Sequence, residues 1–245
     1  MIDTSLMLSG GLDSVVALIL EKDHISSVYV NLHSPYSWKE KKVIEMLKGY
    51  GYDIVEIDSE VVRKEFNNVP TIKDQIIPGR NLYLAVIGAM NVNVSNVWIV
   101  SLYGEMHRFM LDKSKKFYKD GSRFLSFIFG RKINLDSPYK MLTKAEVVNL
   151  AISNGISKEL LSQTSTCYHD TLWRCGECST CFKRWVAMSC NNISEEYSVD
   201  PWKSEEADRL INAYRKAIVD RDYRHYSKKR IYETSIALKK VGIKL

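Results

Sequence analysis

The sequence predicts an α/β fold, a parallel sheet with helices on both faces, followed by a small helical C-terminal region. Short apolar runs of strand length alternate with helical segments, and such alternation forms a parallel sheet with right-handed crossovers. A glycine-rich turn joins the first strand to the first helix, and all 5 cysteines fall within residues 167–190. We expect three parts, residues 1–160, 161–200 and 201–245.

The first half of the sheet follows from three short apolar runs. Strands are predicted over residues 4–8, 27–32 and 53–57, the last two being rich in β-branched side chains. Between them, apolar residues recur with helical spacing from Asp13 onward and again over residues 38–50. These five segments predict two successive βα units.

The pattern continues beyond a less regular region. A helix is predicted over residues 81–90 and strands over 97–100 and 132–135, with an irregular basic stretch between the two strands. Thr143 and Glu146 then form the Ser/Thr-x-x-Glu signature of a capping box, which predicts that a helix begins there.

The composition is that of a folded protein. Of 245 residues, 45% are hydrophobic, which excludes disorder and disulfide-stapled mini-scaffolds. No run reaches the roughly 18–20 apolar residues of a membrane helix, and residues 1–4 lack the basic region of a signal peptide. We therefore expect a cytoplasmic protein without membrane contact, in which an odd number of clustered cysteines indicates metal or redox chemistry.

The basic excess is confined to the tail. Residues 201–245 hold 7 Lys and 5 Arg against 6 acidic residues, which accounts for the whole net charge of +6. Tyrosines interleave with these cations, and such a pattern can contact a nucleic-acid backbone and stack on bases. The alternative is a solvated helix face, since apolar residues at helical spacing over 207–218 predict that the other face is packed.

The turn after the first strand reads SGGLDS and is a candidate phosphate-binding loop. Gly10 and Gly11 allow positive φ and close approach of an oxyanion, and the next helix begins with free N–H groups and a positive dipole end. Ser9 and Ser14 add hydroxyl donors, and Asp13 is a candidate ligand for Mg2+. An ordinary strand-to-helix turn, capped by Asp13 or Ser14, is the alternative.

Four of the cysteines have the spacing of a metal site. Two overlapping C-x-x-C turns can direct three sulfurs at one point, and a fourth thiol precedes them by eight residues. Four thiolates form a closed, structural zinc site, with buried free cysteines or an iron–sulfur cluster as alternatives. The candidate Zn2+ ligands are Cys167, Cys175, Cys178 and Cys181, and Cys190 is expected to be a buried thiol. The cations expected to offset part of the thiolate charge are Arg174, Lys183 and Arg184.

The SGGLDS turn resembles the SGGxDS pyrophosphate motif of the N-type ATP pyrophosphatases, or PP-loop enzymes. Members of that superfamily have an adenine nucleotide alpha hydrolase-like fold and cleave ATP between its α and β phosphates. They adenylate a substrate oxygen, and a nitrogen or sulfur nucleophile then displaces AMP. The resemblance implies ATP and Mg2+, bound through Leu8, Ser9, Gly10, Gly11, Leu12, Asp13 and Ser14.

Further strings resemble the QueC family. Residues 77–81 (IPGRN) are similar to its (V/I)PGRN loop, and residues 138–148, 164–168 and 175–181 to its C-terminal half. QueC enzymes are zinc-containing 7-cyano-7-deazaguanine synthases, ATP-dependent ligases that convert 7-carboxy-7-deazaguanine and ammonia into a nitrile on the route to queuosine. The resemblance spans residues 5–184 and implies this reaction, or a closely related 7-deazapurine reaction.

The resemblance also implies roles for single residues. Arg80, flanked by Gly79 and Asn81, is expected near the nucleotide or the reacting carboxylate, and Lys144 is expected to face the phosphates. An ordinary surface arginine and a solvated lysine in a first helical turn are the alternatives. The candidate catalytic residues are Ser9, Asp13, Ser14, Arg80 and Lys144.

The substrate side departs from the QueC pattern. Between residues 104 and 130 the family's Tyr-Pro-Asp-Cys-Arg segment and its preceding aspartate are replaced, and Asp120 and Arg123 are the candidate substitutes. Ser179 stands where the family has an aspartate. These departures predict a divergent relative that acts on another 7-deazapurine or on a different carboxylate.

Two other functions stay open. A PP-loop tRNA-modifying ligase or thiolase would use the basic tail to hold tRNA, and a non-catalytic PP-loop protein would sense nucleotide or bind a partner. Family analogy also implies a homodimer. The histidines expected to be structural, since they lack metal-ligand spacing with one another, are His24, His33, His107 and His169.

Overall fold

The computed structural model describes residues 2–59, 79–104, 111–170 and 172–245. These residues contain a five-stranded sheet in the order β3-β2-β1-β4-β5, with every neighbouring pair parallel. The strands are β1 Thr4–Leu8, β2 Ile25–Asn31, β3 Ile54–Asp58, β4 Asn96–Trp98 and β5 Asn134–Asp136.

Helices cover both faces of this sheet, which confirms the predicted fold class. Met7 of β1 belongs to an apolar cluster with Ala85 and Leu125, which lie on two of the helices. Side chains alternate along a strand, so Leu6 and Leu8 point to the opposite face, where helix contacts also occur. Among the described residues of this part of the chain, the α-helices are α1 Leu12–Glu21, α2 Ser37–Gly49, α3 Arg80–Ala89 and α4 Lys115–Ile128.

The strand order reverses between β1 and β4. From β1 the chain passes through β2 to β3 on one side, and β4 and β5 extend the sheet on the other. In the ladder, Thr4 of β1 pairs with Ile25 of β2 and with Asn96 of β4. Parallel sheets of this kind bind ligands outside the carboxyl ends of the two strands at the reversal.

The prediction of irregular structure for the basic stretch before β5 is wrong, because much of that stretch forms α4. Ser114 caps this helix by accepting a hydrogen bond from the N–H of Phe117. Its inner face buries Tyr118, Gly121 and Leu125 at helical spacing. A Cβ at Gly121 would lie 2.7 Å from Leu135 Cδ2, so the glycine permits close approach of α4 to β5. The lysines and the internal glycine concealed this pattern in the sequence.

Two compact units divide the described residues. One contains residues 2–59, 79–101 and 111–140, and the other contains 102–104, 141–170 and 172–245. The predicted boundaries at 160 and 200 stay predictions. The helices of the second unit are α5 Lys144–Ser153, α6 Lys158–Gln163, α7 Ser179–Cys190, α8 Glu205–Val219 and α9 Lys228–Lys240.

The basic tail contributes to the core of the second unit. Leu210 and Tyr214 of α8 and Leu238 of α9 are buried in one apolar cluster with Phe182 of α7. This confirms the predicted packed face for Ala207, Leu210, Ile211 and Tyr214, but not for Ile218, which is exposed at the end of α8. Of the helices in the described part of the chain, none has the length and apolar character needed to cross a membrane.

Candidate nucleotide site and metal centre

The SGGLDS turn joins the carboxyl end of β1 to the start of α1. Helix α1 begins at Leu12, and its N-cap is Gly11, with no cap bond from a side chain of the described residues. Asp13 and Ser14 therefore lie inside the first turn, and neither is the cap that the alternative reading required. The first backbone N–H groups of a helix lack intrahelical acceptors, so this end of α1 can receive an anion.

Hydrogen bonds between its two serines shape the turn. The N–H of Ser9 donates to Ser14 Oγ at 3.3 Å, and the two hydroxyl oxygens lie 3.1 Å apart. Ser14 Oγ also donates to the carbonyl of Gly11 at 3.0 Å, and the N–H of Gly11 donates to Ser9 Oγ at 3.4 Å. The turn is thus ordered by its own side chains, which is the preorganisation that oxyanion binding requires.

Two features of the backbone at position 10 favour glycine. Its φ is +64°, in the left-handed region. A Cβ there would lie 3.1 Å from both the Cα and the carbonyl oxygen of Glu40 in α2. Gly11, with φ −74°, has ordinary extended backbone. The backbone of the turn therefore approaches α2 closely at Gly10.

Glu40 is a partly buried carboxyl beside the turn, and sequence reasoning missed it. Tyr29 of β2 donates its hydroxyl to Glu40 Oε2 at 3.5 Å. Burial raises the pKa of Glu40 to about 8, although the positive charge of Arg80 and the Tyr29 hydrogen bond lower it. Burial, followed by the charge of Glu40, also raises the pKa of Tyr29. Arg80 is therefore close enough to act electrostatically on the carboxyl of Glu40, the residue whose backbone lies against Gly10.

The residues of the predicted PGRN loop begin helix α3. Gly79 is its N-cap, with φ +74°, and Arg80 is its first residue. Asn81 is buried, and its side-chain amide donates to the carbonyl of Asp112 at 3.0 Å. Asn81 thus anchors the segment that precedes α4. Ile77 and Pro78 of the same motif lie outside the described residues.

Lys144 belongs to the second unit, where it is the first residue of α5. The predicted capping box is present: the N–H of Glu146 donates to Thr143 Oγ1, and the N–H of Thr143 donates to Glu146 Oε2 at 2.8 Å. The confirmed cap fixes the start of the helix and so the place of Lys144 in its first turn. The role of Lys144 toward phosphate stays a prediction.

The four predicted metal ligands come together in the second unit. Their sulfurs all lie within 4.8 Å of one another, and Cys175 Sγ lies 3.8 Å from Cys181 Sγ. The N–H groups of Glu177 and Cys178 donate to Cys175 Sγ at 3.3 and 3.4 Å, which favours the thiolate. A purely sulfur donor set of this kind fits a tetrahedral zinc ion or an iron–sulfur cluster.

A buried ion-pair network lies beside these cysteines. Arg184 of α7 donates to Glu195 through Nε at 2.8 Å and through Nη2 at 2.7 Å. It also donates to Thr164 Oγ1 at 2.9 Å, and Tyr197 donates its hydroxyl to Glu195 Oε2 at 2.8 Å. Arg184, which was predicted to offset thiolate charge, therefore also pairs with Glu195. Sequence reasoning missed Glu195.

Arg174 completes the network. Its Nη2 lies 3.3 Å from Glu195 Oε1. Burial lowers the pKa of Arg174. Burial also raises the pKa of Glu195, but its pKa is lowered overall, because the hydrogen bond and charge of Arg184, the charge of Arg174 and the hydrogen bond from Tyr197 together outweigh burial. The result is a carboxylate held ionised between two guanidinium groups.

A match to a protein-family model shows which family has this phosphate turn and four-cysteine site. The model of the queuosine biosynthesis protein QueC matches residues 43–192, which is more than half of the chain. The chain belongs to the QueC family.

Curated relatives agree with this assignment. The chain is 26% identical over 218 residues to a 7-cyano-7-deazaguanine synthase of Caldicellulosiruptor saccharolyticus, a match that covers 79% of this chain and 95% of that protein. It is 24% identical over 224 residues to a protein of the same name from Methanocaldococcus jannaschii, covering 78% of this chain and 96% of the relative.

The candidate replacements on the substrate side of this QueC protein lie on the outer face of α4. Asp120 and Arg123 line a shallow groove with Lys116, Phe124 and Phe127. Lys116 pairs with Asp120 one helical turn away, which lowers the pKa of Asp120. Asp120 and Arg123 therefore lie close together, on the side of α4 opposite the buried Tyr118 and Leu125.

The carboxyl edge of the QueC sheet holds a second group that sequence reasoning missed. His33 Nε2 lies 2.6 Å from Asp58 Oδ1, and Asn31 accepts a hydrogen bond from the His33 N–H at 3.0 Å. His33 lies just past β2 and Asp58 ends β3. The sequence signal for this pair was the presence of polar residues at the carboxyl ends of two neighbouring parallel strands.

Among the other histidines, His169 lies near the metal ligands. One of its ring nitrogens is within 4.8 Å of Cys175 Sγ and of a Glu177 carboxylate oxygen. His24 precedes β2 and pairs through its backbone with Glu21 and Asp3. His107 lies outside the described residues.

Proposed function

We propose that this chain is an ATP-dependent carbon–nitrogen ligase that converts 7-carboxy-7-deazaguanine and ammonia into 7-cyano-7-deazaguanine. The observation that carries the proposal is the SGGLDS turn of a QueC-family chain, at the carboxyl end of β1 where the strand order reverses. The names of the curated relatives give the product, 7-cyano-7-deazaguanine, and the QueC resemblance implies the carboxylate substrate.

The reaction needs activation because a carboxylate is a poor electrophile. Its oxygen attacks the α-phosphorus of ATP and pyrophosphate leaves. Ammonia then attacks the carbonyl carbon, AMP leaves, and loss of a proton gives the amide. The amide oxygen attacks a second ATP, pyrophosphate leaves again, and AMP departs with that oxygen as two protons are lost and the nitrile forms. The protein contributes mainly positioning and electrostatic stabilisation.

We assign the leaving pyrophosphate to the first turn of α1. In this assignment its backbone N–H groups and the Ser9 hydroxyl donate hydrogen bonds to the phosphate oxygens, and the Ser14 hydroxyl does so by turning away from the carbonyl of Gly11. Mg2+ bound to the phosphates would offset their charge, with Asp13 as its protein ligand. Arg80 supplies positive charge on the same side, as its effect on Glu40 indicates. Lys144 is the candidate for a further phosphate contact.

We assign Zn2+ to the four-cysteine site, with a structural role. Four thiolate ligands leave no coordination position for substrate. Binding of the ion ties the segment around Cys167 to the start of α7, where Cys178 is the N-cap and Cys181 lies in the first turn. Ser179, which replaces the family's aspartate, is the first residue of that helix.

The direct test incubates the purified protein with ATP, MgCl2, ammonia and 7-carboxy-7-deazaguanine, and follows AMP and the base by mass spectrometry. We expect nitrile formation with two AMP per product, one from each adenylation. Asp13→Asn should abolish AMP release. The matched control is Asp3→Asn, because Asp3 precedes β1 at the opposite edge of the sheet and bonds Thr4 and Asn96.

Each alternative gives a different result. AMP without nitrile identifies another nucleophile, and AMP that requires added tRNA identifies a tRNA-modifying ligase or thiolase. ATP binding without AMP identifies a nucleotide sensor. Equal activity of Asp13→Asn and Asp3→Asn contradicts the assigned pyrophosphate site. The homodimer, the cytoplasmic location and nucleic-acid contact through the tail remain predictions.

A further inference from the structure

A second group of metal-binding side chains overlaps the four-cysteine site. His169, Cys175 and Glu177 each offer one ligand atom, and the nitrogen, sulfur and oxygen atoms all lie within 4.8 Å of one another. Among the residues that the structure describes, the four cysteines and this group are the two sets of His, Cys and acidic side chains gathered so closely. Cys175 belongs to both sets, so they share one sulfur.

The two sets differ in their access to solvent. Cys167, Cys175 and Cys181 are buried, with at most 1% of each residue exposed. In contrast, Glu177 is exposed and His169 is half-buried. The second group therefore runs from the surface of the unit to a thiol that is also part of the buried four-cysteine site.

Backbone contacts hold the turn that carries Glu177. Gly176 has φ +84°, and a Cβ there would collide with the carbonyl oxygen of Val199, so the position requires glycine. The N–H of Val199 donates to the carbonyl of Cys175 at 3.0 Å, and the N–H of Glu177 donates to Cys175 Sγ at 3.3 Å. The exposed carboxylate is thus attached to a backbone that is fixed relative to the shared sulfur.

The donors of the second group suit an exchangeable divalent ion. Zinc binds imidazole nitrogen, thiolate sulfur and carboxylate oxygen, and a site with three protein ligands keeps a position for water, which four thiolates do not. Ligand atoms on a tetrahedral zinc ion lie about 3.4–3.8 Å apart. Small rotations of the exposed Glu177 and half-buried His169 side chains would bring their ligand atoms into this range.

We propose that His169, Cys175 and Glu177 form an entry site through which zinc reaches and leaves the four-cysteine site. An arriving ion keeps water in its open position and binds the three side chains. It then exchanges His169, Glu177 and water for the other three sulfurs, and each thiol that binds gives up its proton to solvent. Cys175 stays bound throughout, so the ion always has a protein ligand. Release follows the same steps in reverse.

This inference rests on the proposed assignment of Zn2+ and not on the ligase reaction. It also distinguishes transfer from support. An entry site lowers the barrier in both directions, so its loss slows uptake and release by the same factor and leaves the equilibrium affinity unchanged. A residue that only stabilises the four-cysteine site has the opposite effect on release, because its loss weakens the site and zinc escapes faster.

The test loads the full chain with natural zinc, adds an excess of an enriched stable zinc isotope, and follows the isotope bound to the protein by mass spectrometry. We expect exchange to be slower by about 10-fold or more in His169→Gln and in Glu177→Gln, the scale on which residues around a metal alter its binding. Zinc content and melting temperature should match those of the wild type. Glu177→Asp keeps the carboxylate and should recover part of the rate.

The matched controls are His225→Gln and Glu159→Gln. His225 is half-buried like His169, Glu159 is exposed like Glu177, and neither belongs to the two sets of metal ligands. Both controls should exchange zinc at the wild-type rate. An equal or faster rate in either His169→Gln or Glu177→Gln than in its control overturns the proposal. If His169→Gln does not fold, Glu177→Gln decides the matter, because its side chain is exposed.

Elemental analysis separates this inference from the assignment on which it rests. One zinc per chain, with exchange unchanged in the two variants, overturns the entry site alone. Iron with sulfide overturns the zinc assignment and the entry site together. The exchange rate needs no substrate, so it is measured whether or not the chain makes the nitrile.

Discussion

Arg184 and Glu195 form a bidentate ion pair whose two side chains are fully excluded from solvent, with Nη2 and Oε1 2.7 Å apart. The guanidinium also binds Thr164 and the carbonyl of Leu161, so its hydrogen-bonding capacity is largely used. A buried pair of this kind fixes geometry more than it adds stability, because desolvation offsets much of the attraction. Its position beside Cys181 of α7 makes it a support for the metal centre.

Removal of one member should therefore be costly. Arg184→Met leaves Glu195 with a buried charge, and we expect the free energy of unfolding of the zinc-loaded protein to fall by about 3–5 kcal/mol. Urea denaturation measures this value. Arg209→Met removes an exposed pair with Glu206 and should cost no more than about 1 kcal/mol. Similar losses in the two variants would contradict a special role for the buried pair.

Gly10 should tolerate alanine poorly. Gly10→Ala combines the left-handed φ of +64° with a Cβ 3.1 Å from the backbone of Glu40. We expect AMP formation to be lost and the melting temperature to fall. Gly51→Ala separates the two effects, because Gly51 has φ +86° and open space around it, so it should cost only about 1–2 kcal/mol. Equal stability losses would mean that contact with α2 is unimportant.

Glu40 should make stability depend on pH. Its pKa rises on folding from an ordinary 4.5 to about 8. The folded state therefore binds this proton more tightly than the unfolded state, and the associated stability is present below pH 4.5 and lost as pH rises toward 8. Glu40→Gln should reduce the decline in stability between these values. Urea denaturation at several pH values measures the slope, and an unchanged slope in Glu40→Gln would exclude Glu40 as its source.

Metal removal should unfold part of the second unit. A chelator, or Cys181→Ser, should lower the melting temperature and reduce bound zinc below one ion per chain, because thiolate coordination contributes directly to folding. Cys190→Ser is the control: Cys190 donates its thiol to the carbonyl of Glu233, away from the ligand set. Elemental analysis decides the outcome, and iron with sulfide in place of zinc would identify a cluster.

The sequence was informative where local chemistry dictates structure. The apolar runs, the SGGLDS turn, the Thr143–Glu146 capping box and the C-x-x-C spacing each determine a conformation within a few residues, and the structure has all of them. Helix α4 was missed because its apolar face is reduced to Tyr118, Gly121 and Leu125 among lysines. The close packing that makes this face sufficient involves Leu135, which no local pattern indicates.

The missed site residues share one property. Glu40 and Glu195 matter because of partners on other elements, Gly10 and Arg80 in one case and Arg184 and Arg174 in the other. In the sequence, each is one acidic residue among 29. Burial and partner distances distinguish them, and these quantities exist only after the chain has folded.

The contact between Gly104 and Arg230 also sets an order of events during synthesis. The ribosome makes α9 long after β4 and the start of α5, so the nascent chain can form its sheet before Arg230 Nη1 can donate to the carbonyl of Gly104. Loop closure over such a separation is slow compared with local helix formation. A ribosome stalled within α9 therefore displays a chain whose phosphate turn can be complete while the hydrogen bond between Arg230 and Gly104 has not yet formed.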